Sequence, residues 1–226
     1  LIDQTSAGSA GFHRNGVLLA ALLASTAAMP AFAQSVGSVT NPGFETGNTN
    51  GWTTCGGYWT SGNWPVTEAE CSGPANLLQI MNTGTFDAVT GAPTVFAGNH
   101  SVRLNDQNGG YDLTALSQTV TNYNGNKLYY AWNAVLEPSH GPEDSPSFLI
   151  KVVDKTTNTV VTNISYSAYT AQNTTLFRDV NGFVTTDWKV EDVDVTNGHD
   201  YELVFVAVDC LYSGHGGYVY VDGFGN

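Results

Sequence analysis

Charge is what this chain of 226 residues has least of: Asp, Glu, Lys and Arg together make up 12% of it, about half the usual share. Bases are scarcer still, with seven Lys and Arg against 20 acids and a formal charge of −13. A surface that acidic repels phosphate backbones, which argues against nucleic acid as a partner, and it attracts hard cations. Long apolar runs are also missing. Residues 16–24 form one short run, but Ser25, Thr26 and Pro30 interrupt it before the roughly 20 residues that a spanning helix needs. No His-x-His, His-Glu-x-x-His or Gly-x-Ser-x-Gly spacing occurs, so the short signatures of zinc hydrolases and serine esterases are absent. Neither a fixed-period repeat nor a low-complexity linker divides the chain.

What is present is a hydrophobic share of 42%, enough for a core, with Asn, Thr, Ser and Gly supplying the polar surface. Arg14, the apolar run and Ala31-Phe32-Ala33 read as a secretory signal over 1–33, cleaved after Ala33, with a mature domain over 34–226 and no membrane span in it. Three cysteines fit an exported protein. Cys55 and Cys71 lie in one loop-rich stretch, and joining them would stabilise by about 3 kcal/mol in the chain-entropy picture. Cys210 then remains as a small buried hydrophobe.

The pattern is of strands throughout. Segments 36–40, 101–104, 115–120, 128–136, 148–153, 160–166, 188–195, 201–208 and 218–221 read as strands, separated by Asn/Gly turn chemistry at 108–110, 124–126, 181–182 and 197–199. In 128–136 the residues Leu128, Tyr130, Trp132, Ala134 and Leu136 share one face. In 201–210 both faces are apolar, as in a central strand. Eight or nine antiparallel strands predict an all-β fold, a two-layer antiparallel β-sandwich of jelly-roll type, with long loops in 41–100.

Two stretches carry a family resemblance. Thr40-Asn-Pro-Gly-Phe-Glu-Thr-Gly followed by Gly51-Trp52 resembles the opening of carbohydrate-binding-module jelly rolls, the galactose-binding-like fold. The blocks Gly98-Asn-His-Ser-Val-Arg-Leu-Asn-Asp, Tyr130-Ala-Trp-Asn-Ala-Val-Leu-Glu, Ser147-Phe-Leu-Ile-Lys-Val-Val-Asp and Val208-Asp-Cys-Leu-Tyr-Ser-Gly-His are similar to a module of exported bacterial cell-surface proteins, including those with a Pro-Glu-Pro sorting segment. The resemblance implies that the first and last strands lie side by side and share a structural calcium. Carried over by position, Glu45 and Asp222 would be its side-chain ligands, with backbone carbonyls near Gly47 and Asn99 completing the shell. Against this stands a plainer reading, in which Glu45 caps a turn and Asp222 is an edge-strand acid.

Two further constellations remain open at this point. His140 and His215 sit in loops at strand ends and, with Glu137 and Asp209, form either a second metal site, an acid–base pair, or a set of loop-pinning hydrogen bonds. Trp52 is expected in the core. Tyr58, Trp59 and Trp64 form either a platform for sugar rings or a satellite core around a Cys55–Cys71 bridge. In the final strand Tyr218 and Tyr220 are expected to pack on the inner layer. Glu143-Asp144 and Glu191-Asp192 are adjacent and point to opposite faces on a strand, which weakens a glycosidase reading. The expectation is a calcium-stabilised module at the cell surface or outside the cell. It would bind carbohydrate or extracellular matrix without catalysis; the alternatives are a self-associating subunit of a filament or surface layer and, third, a polysaccharide-active enzyme.

Overall fold

The computed structural model describes residues 34–62, 66–138, 141 and 144–225. The expected signal segment 1–33 therefore lies outside the described residues, as do Trp64 and His140. In chain order the elements are β1 (Gln34–Val36), β2 (Thr53–Tyr58), β3 (Cys71–Gly73), β4 (Gln79–Asn82), β5 (His100–Leu104), β6 (Asp112–Thr121), β7 (Lys127–Leu136), β8 (Ser147–Asp154) and β9 (Thr159–Ser167). A single helical turn, α1 (Ala168–Ala171), follows, and then β10 (Arg178–Val180), β11 (Phe183–Thr185), β12 (Lys189–Asp194), β13 (Tyr201–Val208) and β14 (Gly217–Gly225).

They form two packed sheets. One runs β3-β2-β6-β13-β8-β9, with β1 pairing parallel to the end of β6; the other runs β10-β11-β7-β14-β5-β4, with β12 beside β7. All the remaining pairings are antiparallel, and the all-β two-layer sandwich expected from the sequence is what forms. Strands are more numerous than expected. The region 41–100 is broken by β2, β3, β4 and a 3₁₀ turn at Glu68–Glu70, and an Asn181-Gly182 turn with both residues at positive φ closes a short β10–β11 hairpin.

Strand periodicity explains where each layer faces. In β7 the expected set Leu128, Tyr130, Trp132, Ala134 and Leu136 points between the sheets. In β13, which lies between β6 and β8, Leu203, Phe205 and Ala207 face the inter-sheet core. Val204, Val206 and Val208 face a second cluster on the other side of the same sheet. That outer face is covered by Trp59 and Val66 from the chain between β2 and β3.

The final strand departs from expectation in two ways. β14 is central rather than at an edge, pairing with β5 and β7, whereas β1 pairs with β6 in the opposite sheet. The first and last strands are therefore not paired. Their neighbourhood is made by the loop after β1: Phe224 N–H donates to the Pro42 carbonyl at 2.9 Å. Nor do Tyr218 and Tyr220 pack inward. Val219 and Val221 take the inner positions, while the two tyrosines lie on the outer face with Val89, Val135 and the partly buried Met81, Phe183 and Trp188. The reason is a buried acid on that side: Asp87 Oδ2 accepts from Tyr218 at 2.7 Å and Tyr220 at 2.8 Å. Burial alone would push the Asp87 carboxyl up, but hydrogen bonds from Thr90 and both tyrosines hold it below its usual range.

Candidate functional site

The loop carrying Glu45 is fixed from beneath. Phe44 adopts positive φ and is fully buried, with its ring 5.5 Å from Trp52 and 6.1 Å from Phe224. Trp52 is in the core as expected. Gln118, also buried, accepts from Thr40 N–H at 2.7 Å and donates to the carbonyls of Thr40 and Gly51, which pins both ends of this loop to β6. With Phe44 inside, the next side chain is carried outward. Glu45 accepts from Asn99 N–H at 2.9 Å, from the Asn99 side-chain amide at 3.1 Å and from His100 N–H at 3.1 Å. Burial raises its pKa, but these donors outweigh the effect and hold the carboxyl below its ordinary value.

Asp222 meets the same region from β14. A bulge follows it in the pairing with β7, so its fully buried side chain is aimed at the chain before β5. It accepts from Phe96 and Ala97 N–H, each at 2.9 Å, and from Gly223 N–H at 2.6 Å. Burial pushes its carboxyl up to about 6, the negative charge of Glu45 adds to the rise, and the three N–H donors oppose it. A Cβ placed on Gly43 would lie 3.5 Å from Asp222 Oδ1 and 3.6 Å from Glu45 Oε1. The structure therefore brings Glu45 and Asp222 to one place. Asn99 joins them by its amide donors, while its carbonyl accepts from Thr83 N–H. Gly47 lies beside them, where a Cβ would be 3.7 Å from His100 Nε2. The sequence reading missed His100 and Gly98. A side chain on Gly98 would put its Cβ 2.4 Å from Glu45 Oε1, so any other residue there would have to displace that carboxylate.

Among the described residues no group of three or more His, Cys, Asp or Glu side chains is placed to hold a metal ion. The set Glu137, Asp209 and His215 is correspondingly not a ligand cluster, and His140 lies outside the described residues. Asp209 is fully buried and serves as an acceptor: Asn105 Nδ2 at 2.8 Å, Gly110 N–H at 2.9 Å, Asp112 N–H at 3.3 Å and Gly217 N–H at 3.4 Å all donate to it. Burial, helped by the charge of Asp112, pushes its carboxyl up to about 8 against those donors. Glu137 accepts from Gly216 N–H at 3.1 Å, and the His215 carbonyl accepts from Cys210 N–H at 3.0 Å. The Glu137 and Asp209 side chains and the His215 backbone thus take part in contacts that tie loops to strand ends.

Cys55 and Cys71 form a disulfide with Cα atoms 5.6 Å apart, and Cys210 is a buried free thiol. The loop it closes separates the expected sugar platform. Trp59 is 1% exposed in the satellite cluster with Val66 and Leu113, so its ring has no face to offer a ligand. Tyr58 is 63% exposed. It stands on rigid β2, paired with Asp112 of β6, and lines a groove of about 230 Å³ with Ser72, Pro74, Asn76 and Thr114. The inner-face positions of β6 include Leu116 and Val120, and alternation puts Asp112 and Thr114 on the same side. The groove therefore opens at the flank of the sandwich, where the chain leaves β3 for β4.

No protein-family model matches the sequence, and neither does a curated protein. Among solved structures, the chain is similar to a family 61 carbohydrate-binding module solved with β-1,4-galactotriose, at 17% identity and a TM-score of 0.43, over 83% of this chain and 95% of that one. It is also similar to a family 28 module specific for non-crystalline cellulose, at 17% identity and a TM-score of 0.40, over 84% and 94% of the two chains. A third is the K1 cleaved adhesin domain of Lys-gingipain from Porphyromonas gingivalis W83, at 16% identity and a TM-score of 0.39, over 80% and 93%.

Proposed function

We propose that this protein is an exported β-sandwich module that binds carbohydrate without catalysis, at the cell surface or in the surrounding matrix, and that it is stabilised by calcium. The observation that carries the binding role is the Tyr58 groove. An exposed aromatic ring on a strand, fastened by a disulfide, is flanked by hydroxyl, amide and carboxylate groups. Rings of this kind stack on the C–H faces of sugars while the polar neighbours bond the hydroxyls. The neighbouring disulfide agrees with residence in an oxidising compartment, as export through the segment 1–33 requires. Among the described residues no helix is long and apolar enough to cross a membrane.

Calcium fits the junction of Glu45 and Asp222. Two carboxylates converge there, one of them fully buried and raised by that burial, with a smaller addition from the other's charge. Calcium takes six to eight oxygens. With only these two acids at hand, carbonyls and water would supply the rest of the shell. The ion would neutralise the pair and fasten the loop after β1 to β14.

A second reading has its own observation. β9 ends one sheet, carries no charged side chain over Thr159–Ser167, and exposes Val160 and Val161 at 57% and 37%. Strands of that kind invite pairing with another copy, as in a filament or surface layer.

The binding role is tested by affinity electrophoresis of the folded domain through gels containing soluble polysaccharides, with Tyr58→Ala alongside. Retardation of the parent protein and free migration of a variant with unchanged melting is the expected result. Equal migration of both in every gel sinks the Tyr58 assignment, and concentration-dependent oligomers on size-exclusion chromatography would promote the β9 reading.

A further inference from the structure

Asp112 is the one group of the Tyr58 groove whose charge nothing answers. Its backbone is fully engaged: the N–H donates to Asp209 at 3.3 Å, and the carbonyl accepts from Asp209 N–H at 2.9 Å. Its carboxylate is different. Among the described residues no hydrogen-bond donor and no Lys or Arg reaches it, although it is half-buried. Burial, and then the charge of Asp106, push its pKa up. Asp209 adds a third acid close by, since a Cβ on Gly110 would touch Asp112 Oδ2 and lie 3.8 Å from Asp209 Oδ2. A half-buried carboxylate normally finds a partner, because leaving it unpaired costs free energy.

Position supplies the rest. Tyr58 and Asp112 are directly opposed across β2 and β6, so they project to the same side with Cβ atoms about 5 Å apart. A ligand lying on the Tyr58 ring would pass over the Asp112 carboxylate. The ring face and the carboxylate both attract a cation, one through its quadrupole and one through a charge-assisted hydrogen bond. A glycan carrying carboxylates or sulfates would meet repulsion here.

We propose that the Tyr58 groove recognises a glycan bearing free primary amines, a de-N-acetylated glucosamine chain, with Tyr58 as its stacking platform and Asp112 as counter-ion to one ammonium group. This rests on the carbohydrate-binding reading above and narrows it to one substrate class. Ser72, Asn76 and Thr114 bond the hydroxyls that all glucosamine and glucose chains share. Asp112 alone distinguishes the amine.

The test is isothermal titration of the folded domain with three hexasaccharides of equal length, built from glucosamine, N-acetylglucosamine and glucose, under mildly acidic conditions where the amines are charged. The glucosamine chain is expected to bind about 10-fold more tightly than the other two, the size of one charge-assisted hydrogen bond. Asp112→Asn removes that preference, bringing the glucosamine chain to the affinity of the other two, whereas Tyr58→Ala weakens all three. Because an acidic protein attracts polycations anywhere, Asp179→Asn on the other sheet is the control and leaves the preference intact. Should Asp112→Asn not fold, Tyr58→Ala decides instead, since glucosamine binding in the groove must fall with the ring whereas bulk attraction of a polycation would persist. Equal affinity for all three chains overturns the amine assignment and leaves carbohydrate binding standing. A preference that survives Asp112→Asn, or falls as much in Asp179→Asn, overturns it too. Binding of none of the three overturns both readings.

Discussion

Glu45 and Asp222 meet where the loop after β1 lies against β14: both carboxylates lie within 3.6 Å of the position that a side chain on Gly43 would occupy. One comes from a surface loop and the other from the middle of a sheet, and among the described residues no cation partner is shared between them. If calcium joins them, adding it should raise the thermal midpoint and chelator should reverse the effect. Saturation at 100 times the dissociation constant corresponds to about 2.7 kcal/mol. Asp222→Asn should abolish the response. A midpoint that ignores both calcium and EDTA would remove calcium from the proposed function.

The same acids set a pH dependence with a definite sign. The folded Asp222 carboxyl stands near 6 and that of Asp209 near 8, against an ordinary value of 3.8. A carboxyl raised by folding binds protons more tightly in the native state, so its contribution is present at low pH and is lost as pH rises. For Asp222 the loss falls between about 4 and 6 and is on the order of 3 kcal/mol; for Asp209 it extends to about 8. Denaturant midpoints of the chelated protein should therefore fall as pH rises through this window. Calcium, by favouring the ionised Asp222, should flatten the lower part of the curve and leave the upper part. Stability rising from pH 4 to 8 in chelator would contradict these environments.

How much of this was legible in the sequence depends on how much contrast a strand carries. β7 alternates between large apolar and smaller or polar residues at most positions, so its inner face could be read directly. β14 does not: Tyr218, Val219, Tyr220 and Val221 are all hydrophobic, and period alone cannot say which pair faces in. The answer came from Asp87, more than 120 positions away in sequence, which gives the two hydroxyls an outer partner. The Glu45–Asp222 meeting was reached through resemblance. Its mechanism was not, because loop-to-strand contact replaces strand pairing. Trp59 illustrates a third limit. The sequence left it between a sugar platform and a satellite core around the bridge, and the fold of that stretch back over β6 and β13 decides for the core. His140 and Trp64 fall outside the described residues.

That disulfide gives a further prediction. Replacing Cys55 and Cys71 together by Ser should cost about 3 kcal/mol. It should also loosen the cover that Trp59 and Val66 place over Leu113, Val204 and Val206. Trp59 emission should shift to the red under conditions where the inter-sheet core, with Trp52 and Trp132, stays folded. A double variant whose emission and denaturant midpoint match those of the parent protein would mean that packing alone holds the lobe.

Gly98 offers a sharper test of the junction than the acids themselves, because it carries no charge. It sits at a φ of +72°, and so does Gly91 nearly, at +68°. A Cβ on Gly91 would meet nothing within 4 Å, whereas one on Gly98 would strike the Glu45 carboxylate. Both Ala substitutions carry the left-handed backbone cost of about 1–2 kcal/mol. Gly98→Ala must in addition displace Glu45 from the Asn99 and His100 amides, each of which is a charge-assisted bond. The stability loss should thus be clearly larger for Gly98→Ala than for Gly91→Ala, and calcium stabilisation should weaken only in the former. If the two variants lose equal stability and respond equally to calcium, Glu45 does not take part in holding the junction, and Asp222 would have to act without it.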